Sequence, residues 1–139
     1  MRPGITTEMS NHGQQDPRHR HRAADRNLQR RGRGARDARW LITAGTPGLD
    51  AGGKVPPDFG AQAELAWTHI VTMLKRADMS VHDLVKVTQY LVRSSDIAAY
   101  AEVRARHLGS ARPASLLLIV PALVQPEFLL EIEAYAAKA

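Results

Sequence analysis

The chain has 139 residues, 44% hydrophobic content and a formal net charge of +5. That length suits a single domain with a real core. The absence of cysteine excludes a disulfide frame, a thiolate nucleophile and a thiolate metal site. The longest apolar run, "LLLIVPALV" at 116–124, is too short to span a bilayer and contains a proline, and no secretory signal is visible at the N-terminus. No membrane association is expected, and the expected location is the cytoplasm.

The charge is unevenly placed. Residues 1–39 hold ten arginines and four acids, which leaves nine basic and ten acidic residues from position 40 onward. The segment 1–39 therefore reads as an arginine-rich tail. From Gly13 to Arg39 its only large apolar residue is Leu28, so it has nothing with which to nucleate a core, and disorder is the physical default. The stretch "RRGRGAR" suits sequence-independent contact with phosphate backbones, but no aromatic stacking platform accompanies it. "HRH" at 19–21 has no carboxylate or cysteine cluster beside it, so no metal and no cofactor are expected. The mix of Arg, Gly, His, Asp and Gln fits two origins alike: an added tail, or a GC-rich frame read out of register.

The domain proper is placed at 40–139. "RWLITAG" has strand composition and stops at Gly45, and "TPGLDAGGKVPPD" is a loop dense in glycine and proline. A long helix opens at the N-cap Asp58. Its inner stripe is Phe59, Ala63, Ala66, Trp67, Ile70, Met73, Leu74 and Ala77. Gln62, Glu64, His69, Lys75 and Arg76 fall on its polar side, with His69 a solvated surface residue. Ser80 and Asp83 predict a short capped turn. Val85, Val87, Gln89 and Leu91 alternate with Lys86, Thr88, Tyr90 and Val92, which predicts a second strand. Asp96 is expected to cap a second helix that Gly109 closes. "ASLLLIV", 114–120, is apolar on both faces and reads as a strand buried in the middle of a sheet. "FLLEIEAYA", 128–136, alternates Phe128, Leu130, Ile132 and Ala134 with Leu129, Glu131, Glu133 and Tyr135, so one face is apolar and the other mixed.

This order predicts an α+β fold, one sheet with two helices packed on one face. The opposite sheet face then has no cover in a monomer, and self-association of the sheets is the simplest remedy.

From Trp40 onward the sequence resembles the RidA family, also called YjgF/YER057c/UK114. The resemblance is carried in order by "RWLITAGTPG", "DFGAQAELAW", "MSVHDLVKVTQYLV", "DIAAYAEV", "RPAS" and "EIEAYA". It implies a chorismate-mutase-like fold, a homotrimer and small-molecule clefts between pairs of subunits. It also implies hydrolysis of reactive enamines and imines to 2-oxo acids and ammonia. Under that resemblance the family's acid falls on Glu131, the catalytic candidate. Its glycine after the first strand falls on Gly45, with Thr46 beside it, and these two join the substrate-binding candidates. The family's carboxylate-clamping arginine is replaced by Ser115, and its asparagine by Ala101. The family's N-terminal hairpin has no counterpart here. Arg112, three positions before Ser115, is the nearest basic residue to that position and completes the binding set. A second reading follows from relatives labelled endoribonuclease or translation inhibitor: nucleic-acid contact through the basic tail, weak and salt-sensitive.

Overall fold

A computed structural model describes residues 37–139. Residues 1–36 of the arginine-rich segment, with Leu28 and the "HRH" stretch, lie outside the described residues, whereas Arg39 opens the first strand. Four strands form one mixed sheet: β1 (Arg39–Ile42), β2 (Leu84–Leu91), β3 (Ala114–Ile119) and β4 (Leu130–Lys138). Two helices, α1 (Phe59–Arg76) and α2 (Ile97–Leu108), complete the unit. The sheet order is β1-β4-β2-β3. β4 runs antiparallel to both β1 and β2, and β3 runs parallel to β2, with α2 in the connection.

Local chemistry sets the boundaries of α1. The Asp58 carboxylate accepts a hydrogen bond from the Ala61 N–H at 2.8 Å, satisfying one of the free donors of the first turn. Phe59, Ala63, Ala66, Trp67, Ile70 and Leu74 are buried along the inner stripe. The helix ends where Asp78 adopts a positive φ of 55°. Arg39 donates to the Ala77 carbonyl, and Lys138 donates to both the carbonyl and the carboxylate of Asp78. Both cations sit where the helix dipole is negative. The short turn Val81–Asp83 carries a complete capping box between Ser80 and Asp83.

Three elements depart from the sequence reading. Asp96 precedes α2, but its carboxylate takes a 2.7 Å hydrogen bond from Arg93 and caps nothing. A single-turn 3₁₀ segment, Ser94–Asp96, leads into the helix in its place. In β2 the register slips between Leu84 and Lys86, so Leu84 takes the inward position that alternation assigns to Val85. The largest correction concerns β3. Its apolar run lies at the edge of the sheet, and β4 and β2 are the central strands. Leu116, Leu118 and Ile119 are exposed at 48%, 36% and 45%. An apolar run on both faces signals two contacts to be covered, and among the described residues β3 has only the inner one.

The core lies between the helices and one sheet face. Leu84, Val87 and Leu91 of β2 meet Leu130, Ile132, Ala134 and Ala136 of β4 beneath Trp67, Ile70, Leu74, Tyr100 and Val103. Phe128, also buried, leads into β4. The other sheet face carries Trp40 and Ile42 from β1, Leu116 and Leu118 from β3, and Lys86, Thr88, Tyr90, Glu131, Glu133 and Tyr135 from the central strands. The registers Ile42↔Tyr135, Thr88↔Glu133, Tyr90↔Glu131, Thr88↔Leu116 and Tyr90↔Leu118 fix this grouping. Trp40 and Ile42 are each 60% exposed. Among the described residues no helix covers this face.

Candidate functional site

Glu131 stands on the open face of β4, opposite Tyr90 of β2. Strand alternation puts it there, because Leu130 and Ile132 on either side are fully buried under the helices. Burial raises the Glu131 carboxyl above the usual carboxylate range. Among the described residues no donor reaches that carboxylate.

The loop after β1 closes on the same spot. Thr46 and Ile132 exchange backbone hydrogen bonds, Thr46 N to Ile132 O at 2.9 Å and Ile132 N to Thr46 O at 3.1 Å. This bridge lays Gly45 over Glu131. A β-carbon added at Gly45 would stand 2.5 Å from Glu131 Oε2, so a side chain there would displace the carboxylate. The Thr46 hydroxyl donates to the Ala44 carbonyl at 3.0 Å, which tightens the turn. Gly45, Thr46 and Glu131 are therefore brought together.

Ser115 and Arg112 are not part of that group within one chain. Ser115 pairs with Val87, which places it on the helix-facing side of β3, opposite the face that bears Glu131. Its hydroxyl lies 3.2 Å from Nε2 and 3.4 Å from Oε1 of Gln89. Gln89 is fully buried, and its Oε1 accepts from the Tyr100 hydroxyl at 3.0 Å. Burial also pushes the Tyr100 hydroxyl up. Arg112 turns back on its own loop and donates to the carbonyls of Gly109 and Ala111 at 2.7 and 2.8 Å.

Two further carboxylates have clear partners. Glu133 accepts from the Tyr135 hydroxyl at 2.9 Å, and that contact raises the hydroxyl of Tyr135. Glu64, on the outer side of α1, pairs with Arg106 and with His107 of α2, and these partners hold its carboxyl below the usual range. His107 also stacks on Trp67, with ring centroids 5.9 Å apart. Among the described residues no group of three or more His, Asp or Glu side chains is placed to hold a metal, and no helix is long and apolar enough to cross a membrane.

Two polar side chains on α1 behave differently from what the helical spacing indicates. His69, half-buried, has Nε2 2.8 Å from the Leu49 carbonyl, so it is tied to the loop and is not a freely solvated residue. Gln62 is completely buried. The helical period places it at the border of the inner stripe, three residues after Phe59 and four before Ala66, and its partners lie 6, 65 and 67 positions away in the chain.

A model of the endoribonuclease L-PSP family matches residues 32–138. The chain belongs to the RidA (YjgF/YER057c/UK114) family. A RutC family protein of Pyrococcus horikoshii is 35% identical over 101 residues, covering 71% of this chain and 79% of its own length. Among solved structures, a YjgF/YER057c/UK114 family member from Mycobacterium tuberculosis is 32% identical with a TM-score of 0.62, covering 70% of this chain and 77% of its own. TdcF of E. coli, solved with bound serine, is 26% identical with a TM-score of 0.66, covering 72% and 81%. The single mixed sheet with two helices matches the fold of these RidA-family neighbours.

Proposed function

We propose that this RidA-family chain holds a small, amino-acid-sized metabolite in clefts between the copies of a homotrimer, and that Glu131 is the group that acts there. The observation that carries this reading is the approach of Gly45 to Glu131. A half-buried carboxylate with a raised pKa and no donor among the described residues lies against the Gly45 backbone, where any side chain would push it aside. A carboxylate in that state is a better base near neutral pH than an exposed one. In imine hydrolysis it accepts a proton from water as the water oxygen bonds to the imine carbon. It then returns that proton to nitrogen, giving a carbinolamine, and as the carbon–nitrogen bond breaks it relays the hydroxyl proton of the carbinolamine to the leaving nitrogen, releasing ammonia and leaving a carbonyl.

The exposed residues Trp40, Ile42, Leu116 and Leu118 support association of the open faces. An assembly also offers Ser115, at the exposed edge strand, a route to the Glu131 of a neighbouring copy. The serine bound by TdcF supports a ligand of amino-acid size. Ser115 brings no charge, and loss of a desolvated charge partner for a carboxylate costs on the order of 2–5 kcal/mol. Carboxylate-bearing imines are therefore expected to be slow substrates, and the reading includes binding without fast turnover.

The test has two arms. Calorimetry with L-serine reads binding. Formation of 2-oxo acid from an oxidase-generated imine, in competition with semicarbazide, reads turnover. Glu131→Gln should abolish the turnover, and a turnover that Glu131→Gln leaves untouched would remove Glu131 from the chemistry. Neither binding nor turnover in the native protein would sink the reading. The proposed division of the chain, a tail at 1–39 and a domain at 40–139, puts nucleic-acid contact in the tail, since the domain is near neutral. Salt-sensitive RNA retention that survives removal of the tail would contradict that division.

A further inference from the structure

We propose that Gln62 is the positioning residue of the Glu131 site, one buried amide that sets how the glycine-bearing loop and the strand carrying Glu131 approach each other. The inference rests on Glu131 being the working group of the site.

Gln62 has no exposed surface, and a buried carboxamide is tolerated only when its donors and acceptor are used. All three roles are filled. Nε2 donates to the Pro56 carbonyl at 2.7 Å and to the Glu127 carbonyl at 2.9 Å, and Oε1 accepts from the Leu129 N–H at 2.9 Å. The orientation of the amide is fixed by its partners, because a flipped group would set its NH₂ against the Leu129 N–H. The three partners belong to two separate segments. Pro56 ends the loop that begins with Gly45 and Thr46. Glu127 and Leu129 lie just before Glu131.

The main chain of Gln62 makes a second contact with the loop. A β-carbon added at Gly48 would stand 2.0 Å from the Gln62 carbonyl oxygen, so the loop backbone lies directly on this turn of the helix. The loop is thus held at Pro56 by the Gln62 side chain and at Thr46 by Ile132, with the Gly48 backbone packed on the Gln62 carbonyl between them. No donor among the described residues fixes the Glu131 carboxylate itself. Its place depends on the backbone on either side, and Gln62 holds both sides. Leu or Met fills a similar volume and keeps the backbone contact at Gly48, but makes none of the three amide hydrogen bonds.

The experiment uses the full chain. Gln62→Met is compared with the native protein by ¹³C NMR titration of Glu131 and by native-state amide exchange. The expected result is exchange at least tenfold faster at Thr46 and Ile132, with Val87 and Ala134 unchanged. The Glu131 midpoint should fall towards that of an exposed glutamate as water enters. Unchanged exchange at Thr46 and Ile132 together with an unchanged Glu131 midpoint would overturn the proposal, since Gln62 would then be a local structural amide. A second measurement covers the case in which Gln62→Met does not fold. In the native protein under mild denaturant, the amides of Thr46, Leu129 and Ile132 should open along one isotherm, and separate isotherms would also overturn it. Turnover distinguishes this inference from the function it rests on. If Glu131 responds to Gln62→Met but Glu131→Gln keeps full imine hydrolysis, the positioning link stands and the proposed function fails.

Discussion

The two faces of the sheet have similar backbone geometry and opposite chemistry. Under the helices, Leu130, Ile132, Val87 and Leu91 are completely buried and packed against Trp67 and Ile70. On the other face, Trp40 and Ile42 are mostly in water and Leu116 and Leu118 partly so, interleaved with Lys86, Tyr90, Glu131 and Glu133. The covered face holds the fold together. The open face keeps polar groups that a sealed core would exclude, and its apolar residues gain nothing until something covers them. A single strand, β4, serves both, so the fold's most buried aliphatics and its candidate base are adjacent residues.

The sharpest way to break this contrast is a pair of truncations. Trp67→Ala should cost about 3–5 kcal/mol in chemical denaturation, since it removes a buried indole from the helix–sheet interface. Leu118→Ala should cost under about 0.5 kcal/mol in any state where the open face is solvated. If sizing with light scattering gives three times the chain mass, the Leu118→Ala cost should grow with protein concentration and the Trp67→Ala cost should remain large throughout. Equal and concentration-independent losses would erase the distinction between the faces.

A smaller effect separates the two kinds of carboxylate. The folded state raises the pKa of Glu131, so ionising it there is unfavourable relative to the unfolded chain. That cost is absent when both states are protonated and appears as pH rises through the unfolded value of about 4.3. Glu131→Gln should therefore stabilise the protein at neutral pH, within about 1 kcal/mol given the residue's partial exposure, and the gain should vanish in acid. Glu64 should behave in the opposite way. Arg106 and His107 hold its pKa down, so it stabilises the fold above the unfolded value, and that contribution fades as pH falls through the folded one. Glu64→Gln should lose about 0.3–0.5 kcal/mol at pH 7, discounted for exposure, and nothing in strong acid. Thermal melts of the two variants across pH 3 to 8 should lie on opposite sides of the native curve at neutral pH and converge on it in acid.

Much of this contrast is written in the sequence at short range. The Asp58 cap, the Ser80–Asp83 box and the alternation in β4 each depend on neighbours within a few residues, and each forms as read. Gly45 and Glu131, singled out separately through the family resemblance, lie against each other in the structure. What escaped has partners far along the chain. β3 looks like a central strand because an apolar run does not say which of its sides lies within its own chain. Gln62, three residues after Phe59 and four before Ala66, sits at the border of the inner stripe, where its polar type reads as outward-facing, and the return of Pro56, Glu127 and Leu129 makes it internal. Ser115 faces Gln89 because parallel pairing with β2 fixes its side, and periodicity alone does not fix parity between strands.

The pairing of Arg39 with Lys138 gives the domain a directional mechanical character. The start of β1 and the end of β4 lie side by side in an antiparallel ladder, and both side chains are tethered to Asp78 at the end of α1. A force that draws these two ends apart would act across the ladder and load its hydrogen bonds one at a time. The exposed ion pairs would give way first, and the four residues of β1 would then peel off in sequence. The helix–sheet core would carry no load until β1 had gone. Pulled from these ends, the domain should yield at low force, with an early small extension before the core opens.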